Sequence, residues 1–202
     1  MNYIIIILLS YILGSSSMSY YISRIKKVDI TKKGSGNLGA SNTVATIGWV
    51  AGALVFIHDF GKAILAIYLA RTIFPDVLYA AEIAGVCCVL GHIFPFYLKG
   101  KGGKGLASYV GMSIMLDWKF TLCLILVIVL ITLITDYIVI GTFTSIVAIP
   151  TYFGIASQDI YVALILCVAS VVMVFKHRDN IHRLMNGTEI GLRSANKGEH
   201  RS

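Results

Sequence analysis

Long apolar runs recur along this chain with almost nothing charged inside them, and that leaves few ways for it to fold. Residues 3–22, 120–135 and 137–156 are such runs. A helix needs roughly 20 mostly apolar residues to cross a bilayer, so the chain reads as an all-α polytopic membrane protein. Composition agrees: 57% of residues are hydrophobic, 13% are charged and the mean hydropathy is +0.81, which is far from the balance of a soluble domain.

Taken in order, the spans fall at 3–22, 44–72, 77–98, 106–116, 120–135, 137–156 and 160–175. The N-terminal run lacks a basic leader and an A-x-A cleavage pattern, so it is read as the first span and not as a signal peptide. Its Gly14-Ser15-Ser16-Ser17 stretch predicts a face that packs inward, because small residues let helices approach closely. Gly48 and Gly52 form a GxxxG pair of the kind that packs helices, and Pro150 predicts a kink in the sixth span. The fourth span is short; Asp117-Trp118-Lys119 bounds it as an interface anchor. The cysteines, Cys87, Cys88, Cys123 and Cys167, lie in apolar runs without metal-ligand spacing, so they read as core residues. No disulfide framework, metal site or cofactor is expected.

The net charge is +7, but its placement argues against nucleic acid. Of 17 Lys and Arg residues, five lie between Arg24 and Lys33, three between Lys99 and Lys104, and six from Lys176 to Arg201. Basic residues mark cytoplasmic loops. Seven spans with the N-terminus outside place all three clusters, and the C-terminus, on the cytoplasmic side, whereas six would put the basic tail outside. The expectation is thus one integral membrane domain over 1–202, with polar segments 31–43, 91–108 and 176–189 meeting on its cytoplasmic face.

The second segment, Gly91 to Ser108 (GHIFPFYLKGKGGKGLAS), interleaves Lys99, Lys101 and Lys104 with Gly100, Gly102, Gly103 and Gly105. Lysine ammonium groups and backbone N–H groups freed to bend inward suit an anion, and the reading favoured is a phosphate site over a loop that only touches anionic lipid heads. Gly34-x-Gly36-x-x-Gly39 and Gly100-x-Gly102-x-x-Gly105 match a dinucleotide fingerprint literally, but neither follows a strand in a soluble unit of alternating strands and helices. The Walker A pattern is absent. Asp59 and Lys62 stand three apart in the second span and share a helix face; they are either a buried structural ion pair or part of the substrate site.

These segments together resemble the three signature motifs of the bacterial membrane acyl-phosphate:glycerol-3-phosphate acyltransferases. Ser35-Gly36-Asn37-Leu38-Gly39-Ala40-Ser41-Asn42 is similar to the first. Gly91-His92-Ile93-Phe94-Pro95 through Lys101-Gly102-Gly103-Lys104-Gly105 is similar to the second, and His177-Arg178-Asp179-Asn180-Ile181 through Gly187-Thr188-Glu189 to the third. Asp59 and Lys62 fit a D-x-x-K pattern of the same family. The resemblance implies transfer of a fatty acyl group from acyl phosphate to the sn-1 hydroxyl of glycerol 3-phosphate in a bacterial plasma membrane, giving lysophosphatidic acid and phosphate for phospholipid synthesis. It implies Ser35, His92, Lys104, His177 and Asn180 as catalytic residues. Gly36, Asn37, Gly39, Asn42, Lys101, Gly102, Gly103, Gly105 and Glu189 would bind substrate. His92, His177 or a substrate phosphate is the candidate base. The implied partners are the two substrates and membrane lipids, without nucleic acid. Two arginines usual in the family, one in a D-I-R before the first motif and one in an N-x-x-R that continues it, are replaced here by Thr31 and Ala45, which motivates an alternative as a lipid- or phosphate-binding relative without turnover. A transporter of a phosphorylated solute is a third class; it would need polar residues deep in several spans, and only Asp59 and Lys62 qualify.

Overall fold

The computed structural model describes residues 1–191 and 193, and all regular structure among them is helical. Lys197 and Arg201 of the basic tail lie outside the described residues. The chain divides into two compact units, Met1–Leu116 and Asp117–Ser202. Among the described residues, five helical stretches are long and apolar enough to cross a membrane: Asn2–Ile25, Trp49–Ile73, Ala80–Leu98, Trp118–Thr135 and Ile138–Ser157. Ile160–Lys176 with Arg178–Met185 makes a sixth if that pair, bent by 51°, is one span. The short segment expected as a fourth span is an 11-residue helix, Leu106–Leu116. At 1.5 Å per residue it reaches only about 16 Å, roughly half the hydrocarbon thickness.

The first unit holds α1 (Asn2–Ser15), α2 (Met18–Ile25), α3 (Ala40–Ile47), α4 (Trp49–Ile73), α5 (Ala80–Ile93) and α6 (Leu106–Leu116). The expected first span is broken at Ser16-Ser17, because the Ser17 hydroxyl accepts the Tyr20 N–H at 3.3 Å and starts a new helix. Helix α1 buries Ile6 together with small and polar residues and is apolar on the outside. Ser10, Gly14 and Ser15 are buried while Ile4, Leu8 and Ile12 are exposed, an arrangement that suits a lipid surround. The inward face expected for Gly14 and its serines is seen: a Cβ on Gly14 would strike the Cys88 backbone, and one on Gly91 would strike the Tyr11 carbonyl. Helices α1 and α5 therefore touch backbone to backbone, as small residues permit. Tyr11 Oη donates to Phe94 O at 2.6 Å and Tyr97 Oη to Ser15 O at 2.9 Å, fixing their common end.

The second expected span also begins differently. Gly48 has φ +120° and separates α3 from α4, so it serves as a hinge and not as half of a helix-packing motif. Gly52 lets α3 fold against α4, since its Cβ would meet the Val44 side chain. Helix α6 packs on α4 through Gly111, whose Cβ would meet the Phe60 backbone.

The second unit holds α7 (Trp118–Thr135), α8 (Ile138–Ser157), α9 (Ile160–Lys176) and α10 (Arg178–Met185). Asp117, expected as part of an interface anchor, caps α7: its carboxylate accepts the Lys119 and Phe120 N–H groups at 2.8 and 3.1 Å. The Tyr152 hydroxyl donates to the other oxygen at 2.6 Å, and these bonds hold the carboxyl below its usual range. Gly141 lets α8 approach Ile128 of α7, and Ser170 Oγ of α9 donates to Ile146 O of α8 at 2.9 Å. Pro150 stands inside α8, which runs on through it to Ser157.

Candidate active site

In the first motif the chain turns between a 3-10 turn at Ile30–Lys32 and the start of α3, with Gly34 at φ +56° and Gly36 at φ +68°. Asn42, expected to touch substrate, is buried and organises this turn. Its Oδ1 accepts the Ser35 N–H at 2.9 Å, and its Nδ2 faces the carbonyls of Asn37, Lys33 and Ile30 at 2.9, 3.2 and 3.3 Å. Ser35 and Lys33 are exposed; Gly36, Asn37 and Gly39 are half-buried. Thr31, expected to replace an arginine, donates its hydroxyl to Asp29 Oδ1 at 2.6 Å and its N–H to the same atom at 3.2 Å. The Thr31 hydroxyl holds the Asp29 carboxyl below its usual range, and Lys32 lies 3.6 Å from the other oxygen. Ala45 is exposed on α3.

The geometry around Asn42 predicts the behaviour of its carboxylate analogue. Asn42→Asp keeps the acceptor for Ser35 but turns a donor into an oxygen facing three carbonyls. Leaving those groups unpaired costs about 1–3 kcal/mol. The variant is expected to lose thermal stability and most turnover, and to be worse than Asn42→Ala; wild-type activity in Asn42→Asp would remove Asn42 as the organiser of this turn.

The second motif is more folded than its glycines suggest. Lys99 and Gly100 are both left-handed, at φ +53° and +72°. The N–H groups of Gly100, Lys101, Gly102 and Gly103 bond to the carbonyls of Pro95, Leu98, Ile93 and His92 at 3.0–3.2 Å. Those N–H groups are thus used internally and do not point at an anion, contrary to expectation. Glycine is needed for a different reason: a Cβ on Gly102 would strike the His92 carbonyl, and one on Gly103 would overlap the His92 ring. Lys101 is exposed on this turn and Lys104 is half-buried, before Gly105 (φ +103°) leads into α6. The first-turn N–H groups of α6 have no intrahelical partners and attract negative charge.

Beneath this turn lies a buried charged cluster. Asp59 and Lys62 of α4 form an ion pair at 2.9 Å with each side chain only 3% exposed. Lys62 Nζ also donates to Ser16 O at 2.7 Å and meets His92 Nδ1 at 3.0 Å. His58 Nδ1 lies 3.3 Å from Asp59 Oδ1 while its Nε2 lies 3.0 Å from Ser16 Oγ. Ser108 Oγ of α6 donates to the Asp59 carbonyl at 2.9 Å. The Asp59 and Lys62 pairing was legible from spacing. The roles of Ser16, His58 and Ser108 were not, because nothing in the sequence says which residues of other helices reach that level.

In the second unit, His177 caps α9. Its Nδ1 lies 2.7 Å from Met173 O, and since a carbonyl only accepts, Nδ1 carries the proton. Asn180 and Glu189 meet: Asn180 Nδ2 donates to Glu189 Oε1 at 2.6 Å, and Arg183 Nε to Oε2 at 2.8 Å. The Glu189 carboxylate is therefore taken up in tying the segment after α10 back onto it. Arg183, absent from the expected site, completes that tie. No group of three or more His, Cys, Asp or Glu residues that could hold a metal occurs among the described residues.

Long helices with apolar outer faces, and a lysine and glycine turn over a buried ion pair, are the features of an integral membrane protein. Residues 4–187 match the sequence model of the glycerol-3-phosphate acyltransferase family, and the chain belongs to that family. A glycerol-3-phosphate acyltransferase of Clostridioides difficile (strain 630) is 38% identical over 195 residues, covering 93% of this chain and 94% of the relative. One from Carboxydothermus hydrogenoformans is also 38% identical, covering 92% and 95%. Among solved structures, PlsY, an integral membrane glycerol 3-phosphate acyltransferase, matches in its glycerol 3-phosphate form with a TM-score of 0.90 and 28% identity over 98% of both chains. Its lysophosphatidic acid form matches at 0.85 and 29% identity over 95% of both.

Proposed function

We propose that this protein transfers a fatty acyl group from acyl phosphate to the sn-1 hydroxyl of glycerol 3-phosphate, releasing lysophosphatidic acid and phosphate. The observation that carries the reading is the second-motif turn, which folds its own N–H groups inward and brings Lys101, Lys104 and the start of α6 to one short stretch of chain. Two ammonium groups and a helix N-terminus suit phosphate, and both substrates carry it. Because acyl phosphate is already activated, the site must mainly orient the two substrates and stabilise the charge on the acyl oxygen. The sn-1 oxygen bonds to the acyl carbon, the bond from that carbon to the phosphate oxygen breaks, and the hydroxyl proton ends on the departing phosphate, directly or through His177. With its proton on Nδ1, a neutral His177 has its lone pair on Nε2, as a base requires. Ser35, Asn37 and Asn180 would supply hydrogen bonds to substrate, Gly36 and Gly39 the shape of the first turn, and Glu189 the hold on Asn180. No cofactor is needed.

Purified protein mixed with acyl phosphate and glycerol 3-phosphate is expected to release lysophosphatidic acid and phosphate together. Absence of both products from folded protein that binds glycerol 3-phosphate would instead favour the relative without turnover, the reading that Thr31 and Ala45 motivate.

For topology the proposal is seven membrane crossings, with Leu106–Leu116 as the short fourth, the N-terminus outside and the reaction at the cytoplasmic face of a bacterial plasma membrane. The basic clusters support this through the positive-inside bias. Asn186→Cys, in a chain with the four native cysteines replaced, is expected to resist an impermeant thiol reagent in intact cells. Rapid labelling there would reverse the orientation.

A further inference from the structure

His92 resembles a catalytic base by position, but its bonding describes another task. Lys62 Nζ lies 3.0 Å from His92 Nδ1 and Asp59 Oδ1 lies 3.4 Å from the same atom; beside a charged Lys62, whose ammonium only donates, the nearer contact makes His92 Nδ1 the acceptor. A neutral ring then carries its proton on Nε2 and has no lone pair left for a substrate. The Nε2 edge is also covered, because the Gly103 backbone packs so closely there that a Cβ would overlap the ring. His92 is 5% exposed. Its carbonyl accepts the Gly103 N–H at 3.1 Å, so both the ring and the backbone of this one residue shape the turn ahead of Lys104.

The ring is itself held. Lys62 has three donors, and the structure gives it three acceptors: Asp59 Oδ1, Ser16 O and His92 Nδ1. Asp59 in turn is linked to His58 and, through its carbonyl, to Ser108 in the first turns of α6. The cluster therefore joins the α1–α2 break, α4, α5 and α6, the elements on either side of the Lys99–Gly105 turn.

We infer that His92 is a positioning residue: fixed by the Asp59 and Lys62 ion pair, its ring serves as the template on which the Gly103-Lys104 turn is set for phosphate. This rests on the proposed acyl transfer, which it deepens by assigning the buried cluster to substrate binding and removing His92 as the base.

The test is a comparison of His92→Ala, His92→Asn and Gly103→Ala in the purified full chain. Asparagine places an acceptor near the Nδ1 position but has no imidazole to titrate. A template role predicts that His92→Ala raises KM for a phosphorylated substrate about tenfold or more, while kcat stays within about fivefold. His92→Asn should recover much of the affinity and leave the pH profile of kcat unchanged. A base role predicts instead that both variants lose kcat by about 10²–10⁴-fold at unchanged KM, and that result would overturn the inference. Gly103→Ala leaves the ion pair intact and should raise KM in the same way. Combined with His92→Ala it should add little, because the ring it collides with is gone; additive losses would also overturn the template. If His92→Ala does not fold, His92→Asn and Gly103→Ala decide alone. If the wild-type protein releases no product, the acyl transfer reading fails separately, and the same order of variants is read from glycerol 3-phosphate binding by calorimetry.

Discussion

Replacing Asp59 by alanine is expected to destabilise the first unit by about 3–5 kcal/mol, the range for removing one partner of a buried ion pair. The carboxylate is 3% exposed and lies 2.9 Å from Lys62. Its loss leaves an ammonium group inside apolar helices with only Ser16 O and His92 Nδ1 to receive its protons. A charge at that depth is costly whether or not water defects reach it. Thermal unfolding in detergent should show the loss as a lower midpoint and less folded protein recovered. The double variant Asp59→Leu, Lys62→Met removes both charges and should unfold at a markedly higher temperature than Asp59→Ala, since apolar pairs often replace buried ion pairs without loss. That double variant should still bind phosphate poorly, because His92 is no longer held. An Asp59→Ala protein as stable as wild type would mean that the pair does not carry the packing around it.

Lys104→Ala is expected to lower kcat/KM by about 10²–10³-fold, the scale for removing one charged group from a phosphate and the negative charge that develops beside it. Membrane insertion should be unaffected, because Lys104 is half-buried in a turn and not within a helix that crosses. Lys101 is exposed on the same turn, so Lys101→Ala should cost much less. The two variants can be compared by phosphate release over a range of substrate concentrations, with insertion checked by the yield of folded, membrane-extracted protein. An unchanged rate in Lys104→Ala would take Lys104 out of the site and leave the turn as a structural feature alone.

The glycine pattern shows how far the sequence could be read. It located the second-motif turn correctly, but its physical reason for the glycines was incomplete. Backbone N–H groups aimed at an anion and backbone packed against a histidine both demand residues without Cβ, and in sequence they look the same. Only the distances at Gly102 and Gly103 separate them. Asn42 is a similar case. A polar residue in a glycine-rich motif reads as a substrate contact, whereas the fold surrounds its amide with the chain's own backbone. The break at Ser16-Ser17 and the hinge at Gly48 were missed because hydropathy does not register a change of helix direction between two apolar segments.

By itself the sequence determined that this chain is helical and apolar enough for a membrane, that its charge gathers in three segments, and that those segments carry the motifs of one acyltransferase family. Those properties are written in composition and local spacing, which survive without any knowledge of neighbours. Tertiary structure decided what each polar group does. Whether Asn42, His92 or Glu189 faces a ligand or the protein depends on which groups from distant parts of the same unit fill its hydrogen bonds. In an apolar interior every such group must find a partner, and the identity of that partner is a property of packing.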